Sequence, residues 1–140
     1  MIALSAFMPI PIQVEVMSAR TDAATILVVD DDEVLSRVLT RVLSREGYTV
    51  VQATTVAEAR IKAGEAKPSL ALLDLCLPDG DGLELARDLL SMRADLPLVL
   101  ITAYPLRLRD HPELTKQFRC VLTKPINIVE LREAIRTALS

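Results

Sequence analysis

The chain has 140 residues, 51% of them hydrophobic and 25% charged, with a formal net charge of −3. That length suits one domain with its own core, and the apolar content excludes a disordered chain. The acidic balance argues against a nucleic-acid or anionic-membrane partner, since both need concentrated Lys and Arg, and two cysteines, Cys76 and Cys120, make neither a disulfide framework nor a paired metal-ligand spacing. Both read as small buried hydrophobes in a reducing, cytoplasmic setting.

Residues 1–16 are mostly apolar but have no basic n-region, and Pro9 and Pro11 interrupt them. This excludes a signal peptide or a membrane span. Residues 1–24 are therefore expected to be a flexible extension, with Met8 an arm filler, and residues 25–140 to be the domain. Thr25–Val29 is a continuous apolar run of the buried parallel-strand type, ended by Asp30, Asp31 and Asp32. Val34, Leu35, Val38, Leu39, Val42 and Leu43 then mark a helical stripe, with Arg37, Arg41 and Arg45 opposite and Gly47 as the stop. Tyr48–Ala53 reads as a second strand. Thr55 with Glu58 makes a capping box for a helix that ends before Pro68.

Leu70–Leu73 reads as a third strand ending in Asp74, followed by the loop LCLPDGDG, whose Gly80 and Gly82 are turn residues. Asp81 caps a helix carrying Leu83, Leu85, Ala86, Leu89 and Leu90. Leu98–Ile101 is a fourth strand ending at Thr102. Cys120–Leu122 is a fifth, followed by Thr123, Lys124 and Pro125. Asn127 with Glu130 opens a last helix with Ile128, Leu131, Ile135 and Leu139 on one face. Pro105 and Pro112 fall where a fourth helix belongs, so that helix is expected to be short, displaced or partly unwound. The alternation predicts a parallel sheet covered on both faces.

In such sheets, functional groups gather beyond the carboxyl ends of the strands. Here those ends deliver Asp30, Asp31 and Asp74, the Thr102 hydroxyl and the Lys124 ammonium. Carboxylates brought close resist ionising unless a cation joins them, and oxygen ligands suit a hard divalent ion such as Mg²⁺. One carboxylate can then serve as nucleophile toward a phosphoryl group, with Lys124 and Thr102 holding its oxygens. Asp32 reads as a helix N-cap, and His111 as a surface residue with no role in the chemistry.

The runs ILVVDDDEVL, LALLDLCLPDGDG, LVLITAY and VLTKP closely resemble, in order and spacing, the receiver domain of bacterial two-component response regulators. The resemblance covers Ile26 to Leu139. It implies a flavodoxin-like (βα)5 doubly wound sheet of strand order 2-1-3-4-5, with Asp74 as phosphoacceptor and a phosphohistidine on a sensor kinase or histidine phosphotransfer protein as donor. It further implies Mg²⁺ held by Asp30, Asp31, Asp74 and the backbone carbonyl of Cys76, with Pro125 after a cis peptide bond. The domain is then a signalling switch rather than an enzyme. Because the chain ends just after the last helix, a stand-alone receiver without direct DNA binding, acting on a downstream protein, is expected. A receiver fragment of a hybrid kinase remains open.

The family couples its threonine to an aromatic three residues before the lysine. That position holds Val121, which lacks the ring this route of propagation uses. Two other classes compete. An aspartyl-phosphate phosphatase needs a second acid two residues beyond the nucleophile, where this chain has Cys76. A flavin module needs a phosphate loop after the first strand, where three carboxylates stand instead. Donor docking is expected on the first helix and the loop after Lys124, through Val34, Leu35 and Ile126 with Arg37 at the rim. Cys76 and Tyr104 flank the path of hydrolytic water, and a Tyr104 ring turned inward would prolong the phosphorylated state.

Overall fold

A computed structural model describes residues 24–140, so the expectations for the extension, apart from Ala24, lie outside the described residues. Five parallel strands form the sheet: β1 (Thr25–Val29), β2 (Thr49–Ala53), β3 (Leu70–Asp74), β6 (Leu98–Thr102) and β7 (Cys120–Thr123), in the order β2-β1-β3-β6-β7. The first, third and sixth strands are apolar on both faces because both faces are covered. Side chains alternate between two cores. Leu27, Val29, Leu73, Leu98 and Leu100 face one layer, while Ile26, Val28, Leu70, Leu72 and Ile101 face the other.

Helix α1 (Glu33–Arg45) starts where predicted, with Asp32 Oδ1 accepting from Leu35 N at 3.1 Å. Its apolar stripe is wider than the face it buries. Leu39 and Leu43 pack into the core, whereas Val34 is 63% exposed and Val38 stays at the surface. Helix α2 (Val56–Ala66) is capped by Thr55, whose Oγ1 accepts from Glu58 N at 3.0 Å. The return bond of that capping box is displaced by one residue: Glu58 Oε1 accepts from Thr54 N at 2.7 Å. Helix α2 then ends at Lys67, which takes a left-handed backbone (φ 48°) ahead of Pro68.

The LCLPDGDG run, expected as a loop, contains a small antiparallel hairpin of β4 (Cys76–Leu77) and β5 (Gly80–Asp81). It leads straight into helix α3 (Gly82–Met92), capped by Asp81 Oδ1 accepting from Leu83 N at 2.7 Å. The fourth crossover is as irregular as its prolines predict. A 3-10 segment (Pro105–Asp110) precedes a single helical turn, α4 (Pro112–Thr115), and each begins at a proline, which has no N–H to leave unpaired. Helix α5 (Ile128–Leu139) is capped by Asn127 Oδ1, which accepts from Val129 N and Glu130 N. Its buried face runs through Leu131, Ala134, Ile135 and Ala138, with Ile128 and Leu139 at its margins.

Candidate functional site

Parallel register brings the ends of β1, β3, β6 and β7 to one edge. Val29 pairs with Leu73, Asp74 with Ile101, and Thr102 with Thr123. The residues at or just past these ends therefore converge. Lys124 Nζ lies 3.0 Å from Asp30 Oδ2 and 3.1 Å from Asp74 Oδ2. Carboxylate oxygens of Asp30, Asp31 and Asp74 all lie within 4.8 Å of one another. Asp30 and Asp74 are buried and Asp31 is exposed, so the cluster opens to solvent on the Asp31 side.

The cluster's electrostatics follow from burial. Loss of water pushes the Asp30 carboxyl above its usual range, and the charge of Asp74 adds to this; the Asp32 N–H and Lys124 work the other way and do not offset it. Burial also acts to lower the Lys124 ammonium, but the close carboxylates of Asp30 and Asp74 prevail and hold it above its usual value. Asp30 Oδ1 accepts from Asp32 N at 2.8 Å, while buried Oδ2 has no hydrogen-bond donor. The ammonium 3.0 Å from Oδ2 is a charge partner off the hydrogen-bonding direction. A buried carboxylate oxygen without a hydrogen-bond donor, within an all-oxygen cluster, fits a hard divalent cation.

Asp74 Oδ1 accepts from Cys76 N at 3.3 Å. Thr102 is fully buried, and its Oγ1 accepts from Tyr104 N at 2.8 Å, which leaves the hydroxyl as a donor. Lys124 N donates to Thr102 O at 2.9 Å, which ties the two strand ends together, and the peptide bond between Lys124 and Pro125 is cis, as the resemblance implies. Asp30, Asp31, Asp74, Thr102 and Lys124 all stand at or just past these strand ends.

Comparison with known proteins agrees. Residues 26–136 match the profile described as "Response regulator receiver domain". The chain belongs to the response regulator receiver family. Its receiver is 35% identical over 114 residues to the KDP operon transcriptional regulatory protein KdpE of Escherichia coli, covering 81% of this chain and 50% of KdpE. It is 43% identical over 81 residues to the DNA-binding transcriptional activator DevR/DosR of Mycobacterium tuberculosis, covering 56% of this chain and 37% of that protein. Among solved structures, response regulator TrrA of Thermotoga maritima, in complex with Mg²⁺-BeF, superposes with a TM-score of 0.75 at 30% identity, covering 83% of this chain and 99% of that one.

One expectation is corrected by these relatives. The acidic balance argues against a nucleic-acid partner, and the chain's end after the last helix against direct DNA binding, yet DevR/DosR is a DNA-binding activator and KdpE a transcriptional regulatory protein. The receiver spans about half the length of the curated relatives it matches. Net charge describes this domain's own surface and says nothing of what a regulator built around it binds. Among the described residues, no helix is long and apolar enough to cross a membrane.

Three features escaped the sequence. Asp79, in the hairpin turn, reaches across to the start of α2, where Oδ1 accepts from Val56 N at 2.7 Å and Oδ2 from Ala57 N at 3.1 Å. Those bonds to backbone N–H groups hold its carboxyl below the usual range. Gly82, read as a turn residue, is a close-approach residue: a Cβ there would lie 2.0 Å from Asp74 O. Arg107 reaches the lip of the site, with Nη1 donating to Cys76 Sγ at 2.9 Å. The shielding expected of Tyr104 is not favoured, because its side chain faces outward and the residue is 58% exposed.

Proposed function

We propose that this receiver accepts a phosphoryl group from phosphohistidine onto Asp74. The arrangement of Asp74 beside Lys124, with two further carboxylates, is the observation that supports this reading. An Asp74 oxygen attacks phosphorus and the P–N bond breaks. Its electron pair stays on the imidazole of the donor, whose other nitrogen keeps its proton. Lys124 and the Thr102 hydroxyl hold phosphoryl oxygens as the charge shifts. Asp30, Asp31, Asp74 and the carbonyl of Cys76 would bind Mg²⁺, which when bound neutralises the negative charge that carboxylates and phosphoryl oxygens share. In the intact protein this switch would govern an output of the transcription-regulating kind.

The donor would be a sensor histidine kinase or a histidine phosphotransfer protein. A surface groove of about 520 Å³ beside Lys124, lined by Asp32, Leu35, Val38, Pro125, Ile126 and Ile128, supports docking there. The exposed half of the α1 stripe, Val34 and Val38, extends its apolar rim. Incubation with acetyl phosphate and Mg²⁺ should add one phosphoryl group to the wild-type protein and none to Asp74→Ala, read by intact mass. Phosphoryl gain by Asp74→Ala would overturn the assignment. Changes at Arg37 or Ile126 should slow transfer from a phosphohistidine protein and leave acetyl phosphate labelling unchanged.

A further inference from the structure

Arg107 stands in the 3-10 segment, five residues beyond Thr102, and its guanidinium has only weak partners. Nη1 donates to Cys76 Sγ at 2.9 Å, and Nη2 lies 3.9 Å from Asp81 Oδ2. Cysteine sulfur is a weak acceptor, and a long, part-exposed ion pair contributes little. Yet the residue it holds also touches Asp74, because the backbone N–H of the same Cys76 donates to Asp74 Oδ1 at 3.3 Å. A rigid five-donor fork with an unreleased charge is therefore parked one side chain from the phosphoacceptor.

We propose that Arg107 clamps the phosphoryl group once Asp74 carries it. The inference rests on Asp74 being the phosphoacceptor. Phosphorylation replaces the single negative charge of Asp74 with the two of a phosphoryl dianion, beside Asp30 and Asp31, where Lys124 is the cation paired with Asp30 and Asp74. The guanidinium then exchanges a sulfur contact for two parallel charge-assisted bonds to phosphoryl oxygens on the solvent side, bonds roughly twice as strong as neutral ones. Swinging Arg107 pulls on Pro105–Asp110, which presents the exposed side chains of Tyr104 and Leu106 at its start and reaches the core through Leu108. The surface around Tyr104 and Leu106 is thereby rearranged without an aromatic at position 121.

Beryllofluoride with Mg²⁺, a stand-in for the phosphoryl group, tests this. Its Kd should rise about tenfold in Arg107→Gln, the weight of a charge-assisted hydrogen bond at a part-exposed site. Arg107→Lys, which keeps the charge and loses the fork, should fall between the two. Asp81→Asn, which weakens the resting contact and keeps the helix cap, should bind at least as tightly as wild type. Amide exchange over residues 105–110 should slow on binding in wild type and stay unchanged in Arg107→Gln. Equal Kd values for wild type and Arg107→Gln overturn the clamp alone. A wild type that binds no beryllofluoride and gains no phosphoryl mass overturns the phosphoacceptor reading and the clamp together.

Discussion

The hairpin after β3 and the 103–119 connection after β6 both reach the rim of the site, and they are held there by different means. The hairpin is closed at its base and tied to another element: Gly82 N donates to Leu75 O at 2.7 Å, and Asp79 spans to Val56 and Ala57 at the head of α2. In the connection, most bonds are local turns, such as Arg107 N to Tyr104 O and His111 N to Leu108 O, and Leu108, Leu114 and Phe118 are its anchors in the core. Chain that must present Asp74 in fixed geometry is braced from two elements, while the chain beside it has few ties to break. Local stability differs across a fold for reasons of this kind, and moving parts come from its weaker end.

Core truncation should give the largest contrast. Leu73→Ala, in the fully buried third strand, is expected to cost about 4 kcal/mol, and Leu108→Ala about 2 kcal/mol, because the loose segment can collapse around the gap. Urea unfolding checks both, and equal losses would mean that the connection is as tightly packed as the sheet. The two glycines sharpen the comparison next. Gly82→Ala should cost about 3 kcal/mol, since its Cβ would sit 2.0 Å from Asp74 O and backbone must shift. Gly64→Ala, on the exposed side of α2 with Met92 Cε 3.9 Å away, should instead gain about 0.5–1 kcal/mol from chain entropy.

Charge at the site gives a smaller effect. A carboxyl whose pKa rises on folding favours the folded state only while protonated, so Asp30 detracts from stability as pH climbs from the usual carboxylate range through its raised folded value. Asp30→Asn keeps the acceptor for Asp32 N and cannot ionise. Its Tm should exceed wild type by a few degrees at pH 7, with the gap closing in acid. Millimolar Mg²⁺ should raise the Tm of wild type more than that of the variant. Asp79 has the opposite sign. Its depressed pKa adds stability above the usual carboxylate range, and that stability is lost as pH falls through the folded value. Asp79→Asn should therefore melt below wild type at pH 7 and together with it near pH 2, in paired thermal scans.

Most of this was legible in the sequence wherever a residue acts on its near neighbours. Asp32, Thr55, Asp81 and Asn127 cap their helices as read, because an N-cap bonds two or three residues ahead. Asp30, Asp74, Thr102 and Lys124 meet because parallel strands of similar length end together, which the apolar runs already show. What stayed hidden depends on distant partners. Asp79 bonds residues 22 and 23 positions away, Arg107 bonds one 31 away, and the steric demand on Gly82 comes from the backbone of Asp74. The apolar stripe of α1 also misled in part, since Val34 and Val38 keep the helical period without finding a core to enter. DNA-binding relatives were invisible to composition for a simpler reason, because charge counts see only the segment in hand.

Asp79 has one more implication, for how this chain tolerates change in length. Its two bonds set the spacing between the hairpin turn and the first turn of α2 to within a hydrogen bond, so an added residue in the Leu77–Gly80 turn would carry the carboxylate off both N–H groups at once. Between Asp110 and Pro112, exposed His111 joins two short turns. A few inserted residues there would lengthen a surface connection and disturb no strand register. Natural variants of differing length, and engineered tags or split points, belong in the second place.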